Sequence, residues 1–141
     1  MRKNSIVFIA LIFLLAGCSH ADVPKVDEYT WEMTSVQRKE QDGQAVAYGK
    51  RGSSTLENAV SMELMCTAKD GVLTLTDTTN GKTYSGTYKL KEIDPRSAHY
   101  DITLDGNEGL AVVAMTTYHD GSQDPTFIIN LDEYVINFFA E

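Results

Sequence analysis

Apolar and polar residues alternate with a period of two through most of the chain after residue 28. Near the start of this region, Trp31 and Met33 fall on one side while Glu28, Thr30 and Glu32 fall on the other. Such alternation predicts a β-strand with one buried face, because successive side chains of a strand point to opposite sides. Similar short segments follow, separated by turn-forming residues. The pattern therefore predicts an all-β chain.

The span 55–69 is the least clear part of this pattern. Ser54 and Glu57 have the spacing of a capping box, which favours a helix. Against this, apolar residues occupy every second position from Val60 to Ala68. We predict a strand that begins at about Val60.

Asn80-Gly81 gives the clearest hairpin prediction, because a two-residue type I′ turn favours this pair. The strands 72–79 and 82–90 would then pair with Thr79 opposite Lys82, and this register places the apolar residues of both strands on one face.

Residues 98–104 alternate cleanly after the break at Asp94-Pro95 and predict another strand. His99 falls on the polar side of this strand, which indicates a solvated histidine and neither a ligand nor a base. The next turn is predicted over residues 105–109.

The last hairpin is predicted to join residues 126–131 to residues 134–139 through Asp132-Glu133. Its final strand is strongly apolar, and such a strand at a free edge promotes aggregation. Pairing with the first strand would remove that edge. We therefore predict an antiparallel meander of about eight strands closed into a β-barrel, with a β-sandwich as the alternative.

The first 18 residues have a different pattern. Arg2 and Lys3 precede an apolar run over residues 6–16, which is too short for a membrane-spanning helix of about 20 residues. Leu15-Ala16-Gly17-Cys18 then resembles the cleavage site of bacterial lipoprotein signal peptides. An ordinary secretory signal and an uncleaved anchor helix are the alternatives.

The lipoprotein resemblance implies a signal peptide over residues 1–17 and a diacylglycerol on Cys18, which becomes the N-terminus. Residues 18–27 would be the lipidated cysteine and a polar tether, and residues 28–141 the folded domain. The protein would then be anchored by fatty chains to the cell membrane or the outer membrane, facing away from the cytoplasm.

Composition narrows the classes of partner. Removing residues 1–17 leaves 10 basic and 20 acidic residues, a net charge of −10. A surface of this charge repels phosphate, which argues against nucleic acid and against electrostatic binding to anionic membranes. With Cys18 lipidated, Cys66 has no intramolecular partner, and its place in an apolar pattern predicts a buried, inert thiol.

The predicted domain resembles the lipocalin-like domains of small bacterial lipoproteins. The resemblance is carried by residues 71–77, by Gly86-Thr87-Tyr88 and by residues 133–138. Where lipocalins proper have Gly-x-Trp in the first strand, this chain has Tyr29-Thr30-Trp31. The resemblance implies an eight-stranded barrel that holds a small apolar molecule at its mouth.

Bulky residues of the predicted barrel interior are the candidates for contact with such a ligand. An eight-stranded barrel can also be filled by its own side chains, so a cavity and a packed core both remain open. The candidate ligand-binding residues are Trp31, Met33, Tyr84, Tyr88 and Tyr100.

The sequence contains no catalytic motif, so we predict no enzymatic activity, no cofactor and no metal. His119-Asp120 is the one adjacent histidine and carboxylate. Asp120, Ser122 and Asp124 have the spacing that opens a calcium loop, but the later glycine and glutamate are missing, which favours a solvated turn.

One region of the acidic chain is basic, and it suggests an alternative function. A non-catalytic envelope or surface module with a filled barrel could bind a protein partner, which the sequence does not identify. The basic residues are Arg38, Lys39, Lys50 and Arg51.

Overall fold

The computed structural model describes residues 23–141, which form ten β-strands joined mainly by short turns. The predicted signal peptide and Cys18 lie outside the described residues. The strands are β1 (Trp31–Arg38), β2 (Ala45–Tyr48), β3 (Val60–Ser61), β4 (Leu64–Lys69), β5 (Val72–Asp77), β6 (Lys82–Ile93), β7 (Ser97–Leu104), β8 (Asn107–Thr117), β9 (Gln123–Asn130) and β10 (Tyr134–Ala140).

Eight of these strands close into an antiparallel barrel. Strands β4 to β10 pair in sequence order, and β1 completes the ring between β4 and β10. The contact between the first and last strands runs from Trp31 opposite Ala140 to Arg38 opposite Tyr134. The all-β fold and its closure are therefore confirmed, and the β-sandwich alternative is excluded.

Strands β2 and β3 lie beside the ring. β2 pairs with the second half of β1, and β3 pairs with β2 in parallel. The strand predicted from Val60 is broken, because the backbone N–H of Met62 donates to Tyr48 of β2 and thereby holds this segment against β2. Val60 is accordingly 57% exposed. The buried alternation begins only at Leu64 and continues through Cys66 and Ala68.

The register predicted for the β5–β6 hairpin is wrong by two residues. Asp77, not Thr79, lies opposite Lys82, so the turn contains four residues, 78–81. The Asp77 carboxylate accepts the backbone N–H groups of Thr79 and Asn80, both at 3.0 Å. These bonds stabilise the longer turn. A shift of two keeps every side chain on its predicted face, since the period of a strand is two.

Two other turns can be compared with their predictions. In the last hairpin, Val135 lies opposite Asn130 and Phe138 opposite Phe127, as predicted for a turn at Asp132-Glu133. The turn predicted over residues 105–109 is shorter, because Leu104 already pairs with Asn107. Only Asp105 and Gly106 remain in the turn, and both have positive φ, as a tight type I′ connection requires.

A short N-terminal segment closes one end of the barrel. Val23 and Val26 are buried in the core, and residues Val26–Glu28 form a turn of 3₁₀ helix. The indole N–H of Trp31 donates to the Val26 carbonyl at 2.8 Å, and the Val26 N–H donates to the Tyr100 hydroxyl at 3.2 Å. We call residues 23–28 the plug. Packing of the chain thus begins before the predicted domain boundary at residue 28.

Large side chains fill the middle of the barrel. Trp31 packs against Phe127 with ring centroids 5.3 Å apart, and Phe127 stacks on Phe138 at 5.4 Å. Met33 and Leu73 are also fully buried in this layer. The core is therefore occupied by the protein itself from the plug to about the level of Leu75.

Candidate functional site

The end of the barrel opposite the plug contains an apolar pocket of about 340 Å³. We call this end the mouth. The pocket is at the small end of the range for ligand sites, about 300–1,000 Å³. Its apolar walls are formed by Val36, Leu64, Leu75, Leu104, Leu131 and Ile136.

The alternation of the strands explains why these side chains converge. Leu64 is the first residue of β4 and Leu104 the last of β7, and each is the final inward-facing residue of its strand at this end. The β7–β8 turn begins directly after Leu104, and residues 62–63 lead from β3 into Leu64. The floor of the pocket is the packed middle of the barrel.

Four polar or aromatic residues complete the pocket, namely Tyr84, Asp105, Asn107 and Tyr134. The Asn107 carboxamide donates to the backbone carbonyls of Leu104 and Asp105. The Tyr134 hydroxyl accepts a hydrogen bond from the Arg38 guanidinium at 2.8 Å. The mouth therefore combines an apolar interior with a polar rim, the usual composition of a site for an amphipathic small molecule.

The five candidate ligand-binding residues do not lie in one site. Tyr84 alone lines the mouth pocket. Trp31 and Met33 are fully buried in the middle of the barrel. Tyr88 and Tyr100 pack together towards the plugged end, with ring centroids 6.0 Å apart, and Tyr100 is bonded to the plug.

Other lining residues were not singled out from the sequence. Leu131 and Tyr134 flank the last turn on the predicted inward face of their strands, and Asp105 lies in a turn. The alternating pattern does not show that these positions meet at one pocket. One usable signal exists, since Leu104 and Leu131 are each the last inward apolar position before a predicted turn. Applying this rule requires the correct strand ends, and the sequence pattern predicts these only to within a few residues.

His99 is less solvated than predicted, because it belongs to a cluster with Asp94 and Ser97. Its Nε2 atom lies 2.8 Å from the Ser97 Oγ and 2.9 Å from the Asp94 carboxylate. The Ser97 hydroxyl also donates to that carboxylate at 2.8 Å. In a catalytic triad the carboxylate holds the ring nitrogen that does not face the serine. Here one nitrogen faces both groups, so the cluster has the geometry of a capped turn.

Asp94 is the acceptor that organises this turn. The backbone N–H of Arg96 has the largest effect on the pKa of the Asp94 carboxyl, which lies well below its usual range, and the Ser97 hydroxyl and His99 add to the effect. Hydrogen bonds to the charged form favour that form. The cluster thus keeps Asp94 ionised and fixes the β6–β7 connection.

The residues with calcium-loop spacing have other partners. The Asp120 carboxylate accepts the backbone N–H of Ser122 at 2.9 Å, together with its hydroxyl. Asp124 forms an ion pair with Arg51 at 3.4 Å. Within residues 23–141, no group of three His, Cys, Asp or Glu side chains is placed to hold a metal ion.

The basic residues are spread over the surface. Arg38 is at the mouth, bonded to Tyr134, whereas Lys50 pairs with Glu63 at 3.0 Å. Arg51 lies over the Phe139 ring, 4.4 Å from its centroid. Three of the four cations are therefore engaged with different parts of the barrel.

Comparison of the chain with protein-family models, curated proteins and solved structures finds no match. Among the described residues, none of the helices has the length and apolar character needed to cross a membrane.

Proposed function

We propose that this chain is a lipid-anchored extracytoplasmic protein that binds a small apolar or amphipathic molecule at the mouth of a lipocalin-like barrel. The observation that carries the proposal is the apolar pocket at the mouth, above a barrel interior that is otherwise filled. The anchor is supported by the order of charge, apolar run, small residues and Cys18 in the sequence.

The size of the pocket sets the expected affinity. A ligand that removes about 200 Å² of apolar surface from water gains roughly 5 kcal/mol. That free energy corresponds to a dissociation constant of about 0.2 mM, before the cost of fixing the ligand. We therefore expect weak and reversible binding of one small molecule at a time.

Binding is tested with protein expressed from Ser19 onward, which contains all eight barrel strands and the plug. Native mass spectrometry with an added ten-carbon probe should show a one-to-one complex, and NMR titration with the same probes should shift the amides of Leu104, Leu131 and Ile136. The Leu131→Trp variant fills the pocket and should abolish these shifts. Leu110→Trp, a matched change on the exposed outer face of β8, should preserve them. Loss of binding in both variants, or in neither, contradicts a mouth site.

The anchor is tested separately through Cys18→Ala. We expect the full chain to be processed and to fractionate with membranes, and the variant to lose both properties. Normal processing and membrane retention of the variant would overturn the lipoprotein assignment.

A non-catalytic interaction module is the second candidate, and the filled middle of the barrel favours it. In that case no probe binds at the mouth, and the protein captures an envelope partner through its outer surface. Failure of every probe, together with a specific partner in cross-linked envelope extracts, would select this function.

A further inference from the structure

The mouth pocket has a charged wall on one side. Asp105 occupies the first position of the two-residue turn between β7 and β8 and lines the pocket together with Leu104 and Asn107. Its backbone N–H donates to the Ser85 carbonyl at 3.0 Å. Ser85 adjoins Tyr84 in β6, so the turn that carries Asp105 is held beside the strand that supplies an aromatic wall.

In the part of the chain that the structure describes, no cation forms an ion pair with this carboxylate. Four ion pairs form within residues 23–141, and Asp105 belongs to none of them. An apolar pocket with an unpaired carboxylate in its wall attracts a ligand that brings a positive charge.

Arg38, across the mouth, does not present an equivalent positive wall. Its guanidinium donates to the Tyr134 hydroxyl and lies 5.4 Å from the centroid of that ring. The Tyr134 hydroxyl has the largest effect on the pKa of Arg38, and the carboxylates of Glu133 and Glu40 raise it further. The Arg38 guanidinium is therefore directed to Tyr134, and Arg38 itself is not among the residues that line the pocket.

We infer that the mouth selects amphiphiles with a positively charged tip, such as alkylammonium compounds, over fatty-acid-type anions. This inference rests on the proposed ligand site. The apolar tail would enter between Leu64, Leu104 and Ile136, and the cationic tip would lie beside Asp105 and near the aromatic ring of Tyr84. The net charge of the chain without residues 1–17, which is −10, concentrates cations around the barrel and repels anions.

The site is open to water, so the charge selects a ligand without dominating its affinity. Exposed ion pairs contribute up to about fivefold in an equilibrium constant. We expect the ammonium to bind about fivefold more tightly than the carboxylate of equal chain length, and added salt to reduce that ratio.

Three probes with ten-carbon chains test the inference: decyltrimethylammonium, decanol and decanoate. Each is titrated by NMR, below its micelle concentration, into the protein that begins at Ser19. The expected order of affinity at the mouth amides is ammonium, then alcohol, then carboxylate.

Asp105→Asn should reduce the ammonium-to-carboxylate ratio, since only the weaker effect of the overall negative charge remains. Asparagine tolerates the positive φ of 50° at this position, so the turn is expected to survive. Asp101→Asn makes the same charge change on the outer face of β7 and should leave the ratio unchanged.

The outcomes separate the two proposals. Equal or tighter binding of decanoate at the mouth, or an unchanged ratio in Asp105→Asn, overturns the charge selection and leaves the ligand site standing. Absence of binding by all three probes overturns the ligand site itself.

Discussion

Burial sets the chemistry of Cys66. The side chain is fully enclosed in the core, and burial raises the pKa of its thiol to about 12. Because only the thiolate attacks disulfide reagents, the native protein at pH 8 should not react with Ellman's reagent. In protein that begins at Ser19, one thiol should become reactive when guanidinium unfolds the chain. Rapid labelling under native conditions would contradict this enclosure.

The second prediction at the scale of single residues concerns Asp94 and acid stability. The pKa of its carboxyl is lowered in the folded state, chiefly by the Arg96 N–H. A lowered pKa stabilises the fold at pH values above that of an unfolded aspartate, about 4, and this stabilisation is lost as the pH falls towards the folded value.

Urea unfolding of the wild type and of Asp94→Asn between pH 7 and pH 2.5 measures this effect. The variant should be less stable at pH 7, and the difference should shrink below about pH 4. A difference that stays constant across the range would show that the ionised carboxylate is not what stabilises the turn.

At the scale of elements, the β5–β6 hairpin shows what a local motif leaves undecided. Asn80-Gly81 predicted a two-residue turn, and both residues do lie in the turn. The deciding group was the Asp77 side chain, whose Oδ1 atom accepts both the Thr79 and the Asn80 N–H groups and stabilises a turn of four residues. A two-residue turn and a four-residue turn bonded to Asp77 both satisfy the backbone hydrogen-bonding groups. The alternation of apolar and polar residues does not show which of the two turns forms.

Gly86 in β6 carries the third prediction. It lies opposite Leu73 on one side and Leu104 on the other, and a Cβ atom there would collide with the backbone carbonyl of Thr103. Gly86→Ala should lower the free energy of unfolding by about 1–3 kcal/mol in urea titration, because backbone must move to make room. Ser85→Ala, at the neighbouring exposed position, should be nearly neutral. Equal effects of the two changes would contradict this close approach.

At the scale of the whole molecule, the sequence predicted the barrel better than the site. Closure followed from the apolar last strand, and the Phe127–Phe138 register followed from Asp132-Glu133. The plug was missed because its hydrogen bond to Tyr100 joins residues 74 positions apart. The lining of the mouth pocket was predicted only in part. The pocket forms where several strands end at the same side of the barrel, and the pattern within one strand does not show which other strand ends lie beside it.

The fourth prediction concerns the orientation of the barrel on the membrane, and it depends on the proposed lipid at Cys18. Cys18 and Val23 are five positions apart, so the chain between them spans at most about 18 Å. This segment joins the plugged end, so the mouth should face away from the bilayer. β1 has eight residues, and a tilted strand of that length places the mouth roughly 20 Å beyond the plug.

Energy transfer from a fluorophore to labelled lipid measures this orientation. A cysteine placed at Asp70, in the turn at the plugged end, should transfer more strongly than one at Asp132, in a turn at the mouth. Buried Cys66 does not compete for the label, and Cys18→Ser supplies the unanchored control. Equal transfer from the two positions would exclude this orientation.

The plug also has a mechanical consequence. A force applied at the N-terminus of the described chain would pass through Val26, which is hydrogen-bonded to Trp31 in β1 and to Tyr100 in β7. The load is therefore shared by two strands on opposite sides of the ring. The barrel should for this reason resist mechanical unfolding from its N-terminal end.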